Sequence, residues 1–233
     1  VLTEGLLSES ESKLRKLGLF SSVQIRMEAD PDRKDHRWIE VEVQEGTPGL
    51  LAGGLGYRND LGLRAFGTTS YGNLFGRNHT VVFTTTANRR LEDRRVPVEY
   101  QVQLGYIWPW FGIGDLSFRP NVTFQRTQYV NFDATSLAIA ATWEKKLVEN
   151  PGLVASLNYS LERTEQDAVD QSSIDNQTLT IGSLTPSLRL DMRDNPLAPT
   201  RGFYGSISYE IADPSLLSQT LPFPVGYTRL LLR

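Results

Sequence analysis

The sequence predicts a mainly β protein: about nine strands of a transmembrane antiparallel β-barrel, preceded by a small α+β piece. Three observations carry this. From Leu50 onward, apolar and polar residues alternate with the period of two that a strand with one wet face requires. The alternating runs are about 9–14 residues long, against about 5–6 for soluble strands and about 9–11 for strands that cross a bilayer at a tilt. The connections between runs fall into two alternating sets, and one set holds the longer polar loops, as in outer-membrane barrels.

Residues 1–48 form the α+β piece. Leu6, Leu7, Leu14 and Leu17 line one face of a helix, with Ser8 and Glu11 as a capping box and Gly18 as the stop. Val23, Ile25 and Met27 then alternate with polar residues, the 31–35 run Pro-Asp-Arg-Lys-Asp turns, and Ile39, Val41 and Val43 alternate against Glu40, Glu42 and Gln44 as a half-buried strand.

Residues 49–233 form the barrel portion. Weak alternation covers 51–58, 62–72 and 79–88. Val98, Tyr100, Val102, Leu104, Tyr106 and Trp108 share one face, as do Leu116, Phe118, Val122 and Phe124. Leu137, Ile139, Ala141 and Trp143 follow, then Leu153, Ala155, Leu157, Tyr159 and Leu161. A run at 178–193 slips phase between Ile181 and Leu184, as at a bulge. Phe203, Ile207, Tyr209 and Ile211 mark the last strand. Pro120 and Pro186 sit inside proposed strands, each removing a ladder donor, and are expected at bulges. Arg119, Glu144 and Glu162 lie on the polar face, as a wet lumen requires. Trp108, Trp110, Phe111 and Trp143 lie near strand ends, where an aromatic girdle belongs. A large soluble sandwich or lipocalin-like barrel would use the same apolar face as its core; strand length favours the membrane.

Composition agrees. The chain has 233 residues, no cysteine and two histidines, so disulfides and thiolate chemistry are excluded. A net charge of -3 and a pI near 5.5 give no basic face for nucleic acid. Apolar runs are too short for a membrane helix, and a mean hydropathy of -0.30 is compatible with a barrel whose residues alternate between lipid and lumen. The first residues fit no signal peptide and read as a start in mid-domain.

No constellation for covalent catalysis stands out, so no enzyme activity and no cofactor is expected. There is no Gly-x-Ser-x-Gly elbow and no Walker loop, and Gly54-Leu55-Gly56 is too little for a dinucleotide fingerprint. His36 beside the 31–35 turn reads as solvated, and His79 starts a strand with no ligand partner at metal spacing. The Asp191–Gly202 turn carries Asp191, Arg193, Asp194 and Asn195; its oxygen ligands could hold Ca²⁺ or, as the favoured reading, form an Asx-type turn pinned by an Asp–Arg pair. Sequons at Asn78, Asn121, Asn158 and Asn176 read mainly as strand composition. Arg89, Arg90, Arg94 and Arg95, mixed with Glu92 and Asp93, read as a solvated loop, with lipopolysaccharide head groups as the alternative contact.

Several segments in order resemble one family. The 14–23 run Leu-Arg-Lys-Leu-Gly-Leu-Phe-Ser-Ser-Val resembles the helix-to-strand junction of a POTRA domain, and Val41-Glu42-Val43-Gln44-Glu45-Gly46 its last strand. Gly54-Leu55-Gly56-Tyr57 with Gly62 resembles a first barrel hairpin. Asn73-Leu74-Phe75-Gly76-Arg77 and Trp108-Pro109-Trp110-Phe111 resemble family turns. Asp191-Met192-Arg193-Asp194-Asn195-Pro196, then Pro199-Thr200-Arg201-Gly202, resembles the barrel's most recognisable signature. The chain thus resembles the outer-membrane assembly-factor superfamily typified by the BamA and TamA insertases. It departs in carrying only the end of one POTRA domain and about nine of the family's sixteen strands. The family's long inward loop has no counterpart, since Arg201-Gly202-Phe203 belongs to the Pro-Thr-Arg-Gly turn.

The resemblance implies an assembly factor in the bacterial outer membrane with residues 1–48 in the periplasm. It implies that Leu51, Gly53, Gly54, Leu55, Gly56 and Tyr57 form a lateral-gate strand, although a tight bend would equally call for these glycines. Asn73, Leu74, Phe75 and Gly76, and Asp191, Arg193, Asp194, Pro199 and Gly202, form its motif turns. Implied partners are unfolded β-barrel clients, other assembly-machinery subunits, and outer-membrane lipid and lipopolysaccharide. A two-partner secretion transporter of the same superfamily is the alternative, with a passive porin third.

Overall fold

The computed structural model describes residues 4–29, 37–59, 62–89, 98–112, 114–129, 132–148, 152–168, 177–195 and 197–233. The turn expected at 31–35, His36, the Arg90, Arg94 and Arg95 cluster, Asn176 and Pro196 lie outside the described residues. The chain divides into two compact units.

The first unit holds residues up to Leu50 together with Ser70–Thr80. Helix α1 (Glu4–Lys16) carries Glu9–Lys13 and Glu11–Arg15 pairs at i,i+4 spacing. Ser8 lies inside this helix rather than at its N-cap, because the favourable helix formers Glu4, Leu6 and Leu7 extend it upstream. Gly18 ends the run with φ +69°, the left-handed conformation a helix stop uses, and its N–H bonds the Arg15 carbonyl at 3.1 Å. Strand β1 (Phe20–Ala29) pairs antiparallel with β2 (Arg37–Glu45), Val23 facing Val43 and Ile25 facing Val41. The helix packs on β1, where Arg15 reaches the Val23 carbonyl at 3.2 Å and Val23 is fully buried. Strand β2 is exposed along its length, not half-buried as expected, because the helix covers only β1.

The second unit holds Leu51–Thr69 and Val81 onward. Ten strands form one sheet in sequence order: β3 (Gly49–Arg58), β4 (Gly62–Leu74), β5 (His79–Arg89), β6 (Glu99–Ile107), β7 (Leu116–Gln128), β8 (Phe132–Val148), β9 (Gly152–Ala168), β10 (Gln177–Asp191), β11 (Tyr204–Ala212) and β12 (Tyr227–Leu232). From β6 to β12 each pairs antiparallel with the next. One face carries an apolar belt: Val122 faces Ile139, which faces Leu161, while Leu188 faces Ala155 and Ile207. The other face is polar. Arg119 pairs with Glu144 at 3.1 Å, the Thr142 hydroxyl donates to Asn158 Oδ1 at 2.9 Å, and the Ser160 and Ser183 hydroxyls bond at 2.9 Å.

Three expectations are corrected. A tenth strand, β12, pairs with β11 from Ala212↔Tyr227 to Ile207↔Leu232; its six residues are short and its Leu230-Leu231-Leu232 run does not alternate. The β9–β10 register is continuous from Gln177↔Gln166 to Asp191↔Gly152, so the apolar residues of β10 change face without a bulge. The prolines need no bulge either. Pro120 faces Ala141 and Pro186 faces Leu157 in unbroken ladders. On its other flank each falls in a gap: between Gly105↔Asn121 and Trp108↔Phe118, and between Leu184↔Ile211 and Ser187↔Ser208. A proline lacks one donor, so it disturbs only the neighbour that donor would have served.

Candidate functional site

Strand β3 ends the sheet, with β4 as its one strand neighbour among the described residues. Leu51, Leu55 and Tyr57 stand out on the apolar face at 85%, 88% and 60% exposure. The glycines between them differ. A Cβ on Gly54 would lie 2.9 Å from the Phe66 ring, and one on Gly53 3.0 Å from the Phe66 carbonyl. One on Gly56 would meet nothing within 4 Å. Gly54 therefore makes room for an aromatic ring on the inner face, whereas at Gly56 no packing reason excludes a side chain. All of these glycines lie within the single strand Gly49–Arg58. Phe66, whose ring Gly54 admits, was missed by sequence reading; an aromatic residue among Arg64 and Thr68 on its face of β4 is its signal. A cavity of about 330 Å³ beside it is lined by Gly56, Tyr57, Arg58, Arg64 and Phe66.

Asn73, Leu74, Phe75 and Gly76 form a tight turn after β4. The Gly76 N–H bonds the Asn73 carbonyl at 3.0 Å, and the Asn78 N–H bonds Asn73 Oδ1 at 3.2 Å. Asn73, Phe75, Gly76 and Asn78 all have φ between 54° and 67°. Asparagine and glycine tolerate this conformation, but in Phe75 it costs roughly 1–2 kcal/mol. The Asn78 amide donates to the Leu17 carbonyl at 3.2 Å, so the turn holds the end of the helix α1 segment.

The Asp191–Gly202 turn is built around two carboxylates. Asp191 accepts from the Arg193 backbone N–H at 3.1 Å and from its guanidinium at 2.6 and 2.9 Å, and that guanidinium lies 4.9 Å from the Tyr204 ring centre. Asp194 accepts from the N–H groups of Asn195, Thr200 and Arg201 at 2.9, 3.0 and 3.2 Å, and from the Thr200 hydroxyl at 2.6 Å. These donors, led by the Thr200 hydroxyl, lower its carboxyl to about 2. Four inward-pointing donors make this an Asx-type turn and leave no lone-pair cluster turned toward a cation. Pro199 lies between Asn195 and Thr200 in this turn. Gly202, at φ 108°, could not carry a Cβ, which would lie 2.2 Å from the Met192 carbonyl.

The aromatic residues form a row. Trp108 and Phe111 are 5.0 Å apart, Phe111 and Phe118 4.8 Å, and Phe118 and Trp143 5.2 Å. Phe118 joins them although the sequence placed it only in a strand, and Trp110 stands apart, half-exposed. His79, expected to lack a ligand partner, is buried at the start of β5. Strand, turns and aromatic row are separate features rather than one pocket.

A model described as the Omp85 superfamily domain matches residues 73–225. No curated protein matches the chain. Among solved structures, the crystal structure of BamA from Haemophilus ducreyi lacking POTRA domains 1-3 superposes with a TM-score of 0.70 at 17% identity. The alignment covers 91% of this chain and 43% of that one, so the chain spans less than half of the structure it matches. At that identity the likeness is one of fold.

Proposed function

The chain belongs to the Omp85 superfamily and forms part of an outer-membrane β-barrel protein, and from that premise we propose that it assists the folding and insertion of other β-barrel proteins, with β3 as a lateral gate. The observation that carries this is the build of β3, which has Gly49, Gly53, Gly54 and Gly56 among its ten residues. Gly53 and Gly54 are crowded by Phe66 of β4, but Gly56 packs against nothing, and glycine in a strand lowers the stability of its pairing. An opened edge offers N–H and C=O groups to an incoming strand. Each such group left unpaired in lipid costs several kcal/mol, so a templating edge removes that cost as a client barrel grows. No covalent step is needed, so the protein acts without enzyme chemistry.

Residues 1–48 are the C-terminal part of a POTRA domain in this proposal, lying in the periplasm. The alternation of short and long connections supports the orientation, and the exposed apolar face of β2 supports a larger α+β domain. Unfolded barrels, other assembly subunits and outer-membrane lipid and lipopolysaccharide are the proposed partners. A disulfide engineered between β3 and the barrel's closing strand, in a full-length protein with any other cysteines replaced, tests the gate. Locking should abolish client insertion and reduction should restore it; insertion that proceeds with the lock closed overturns the gate.

The polar inward face supports a second reading, passage of an extended polypeptide through the lumen. The Arg119–Glu144 pair and the Thr142–Asn158 and Ser160–Ser183 bonds line such a path. Genomic adjacency to a large secreted exoprotein, with that protein still exported when the lock is closed, would favour it.

A further inference from the structure

The connection between β11 and β12 folds back onto the outward face of the barrel. Tyr159 and Gly182 both lie on the apolar belt, Tyr159 facing Ala141 and Leu184 and Gly182 facing Leu161. The Tyr159 hydroxyl donates to the Leu216 carbonyl at 3.1 Å. A Cβ on Gly182 would lie 1.7 Å from that same carbonyl, so the chain crosses directly over the bare glycine. Here β10 has run past the end of β11, whose last pair is Ser183↔Ala212. The connection takes the missing strand's place. The Gly182 N–H donates to Ser218 Oγ at 3.0 Å, and that hydroxyl donates back to the Gly182 carbonyl at 2.8 Å. The Gln219 N–H bonds the Thr180 carbonyl at 2.9 Å. Ser218 is buried.

The rest of the connection suits the edge of a bilayer. Residues 214–225 carry no charged side chain, and Pro214, Pro222 and Pro224 have no N–H to satisfy. The Asp213 and Pro214 carbonyls take the N–H groups of Leu216 and Leu217. Leu217, Leu221 and Phe223 are left exposed at 64%, 81% and 50%. They adjoin the point where the belt changes character. One step beyond Leu161 on the same face come Arg163 and then Glu165, paired at 3.0 Å. A cavity of about 910 Å³ lies there, lined by Arg163, Thr178, Thr180, Gln219, Leu221 and Phe223, charged at one side and apolar at the other.

We propose that this connection is an interfacial lipid anchor: clamped over Gly182 by Ser218, it places Leu217, Leu221 and Phe223 in the head-group and upper acyl region of the leaflet that borders the barrel's loop-rich rim. Continuity with the apolar belt argues for lipid as the occupant, since a segment without charge adds to a surface that already faces acyl chains. The inference rests on the belt facing lipid, not on client insertion.

Single substitutions Leu217→Cys, Leu221→Cys and Phe223→Cys in the full-length protein, labelled with an environment-sensitive fluorophore, test it in phosphatidylcholine vesicles. Leu157→Cys on the belt and Ser208→Cys on the inner face serve as references. Lipid brominated in the upper acyl chain should quench the three connection sites as strongly as the Leu157 site, and aqueous iodide should reach them less than the Ser208 site. Iodide quenching at the three sites without lipid quenching, while the Leu157 site is quenched by lipid, overturns the anchor alone. If the Leu157 site also escapes lipid, the belt itself does not face acyl chains and the anchor falls with it.

Discussion

Strands β3 and β10 are both marked by glycine, and the surroundings of those glycines differ. Along β10, from Thr180 to Gly182, the uncovered groups are met one by one by Ser218 and Gln219. Gly182 is bare because a carbonyl occupies the space of its side chain. Along β3 the glycines divide. Only Gly53 and Gly54 are crowded, both by Phe66 of β4, and Gly56 faces open space. A glycine that admits a close neighbour tightens an edge, while a glycine with nothing beside it loosens one. The comparison separates backbone closed by the chain's own connection from a strand in which one glycine leaves its space unfilled.

Breaking the closed edge has the largest expected effect. Gly182→Ala forces a methyl into the Leu216 carbonyl, so the connection must lift or the strand must shift, at about 1–3 kcal/mol or more. Urea unfolding of the full-length protein in vesicles measures it, and an unchanged midpoint would mean that the connection does not rest on β10. Ser218→Ala is the milder version. It leaves the Gly182 N–H and carbonyl without their partner, at about 1–3 kcal/mol. Amide exchange at Gly182 should quicken while exchange at Leu188, deep in the β9–β10 ladder, stays slow. Equal quickening at both would show that the serine holds the whole wall rather than its rim.

Most of the wall was legible in the sequence because alternation reports a strand with two different faces, and β6 to β9 have them. Legibility failed where a residue answers to something other than the two faces. Leu179 and Ile181 broke the alternation of β10 because they lie on the polar face, opposite Thr164 and Glu162, while Gly182 on the apolar face lies under a carbonyl, and this looks like a bulge in the letters alone. Strand β12 was lost because three successive leucines hide the period. The prolines misled because sequence cannot say which neighbour a missing donor would have served. The Asp191–Gly202 turn was recognisable by its letters, but the four donors on Asp194 come from residues up to seven positions away and emerge only once the turn closes. The glycines of β3 were equally visible, yet the difference between Gly54 and Gly56 depends on Phe66 from the next strand.

That difference gives the sharpest test of the open edge. Gly56→Val adds a β-branched side chain into open space, so it should stabilise β3 by about 0.5–1 kcal/mol by removing glycine's entropy cost. If looseness is what makes β3 a gate, the same change should slow client insertion while raising the unfolding midpoint. Faster or unchanged insertion with higher stability would separate the glycine content of β3 from its role. Gly54→Val, by contrast, should lower stability through the Phe66 ring, and Phe66→Ala should rescue it.

The smallest expected effect concerns a third way of meeting backbone groups, by a charge at a turn. Asp194 lies outside the strands and gathers three N–H groups and a hydroxyl, which lower its carboxyl from the ordinary 3.8 to about 2. A carboxyl held below its unfolded value contributes stability that is fully present above about pH 4 and is lost as pH falls through about 2. The Thr200 and Arg201 amides should therefore stay protected from neutral pH down to about 4 and lose protection only on approach to about 2. Asp194→Asn keeps the shape but removes the charge, so protection should be weaker at neutral pH and nearly independent of pH over that range. The carboxylate is solvent-facing and screened, which keeps the effect local to the turn. Loss of protection already near pH 5 would mean that the four donors do not hold the charge. The turn would then depend on its Asp191–Arg193 pair and on the bare Gly202 instead.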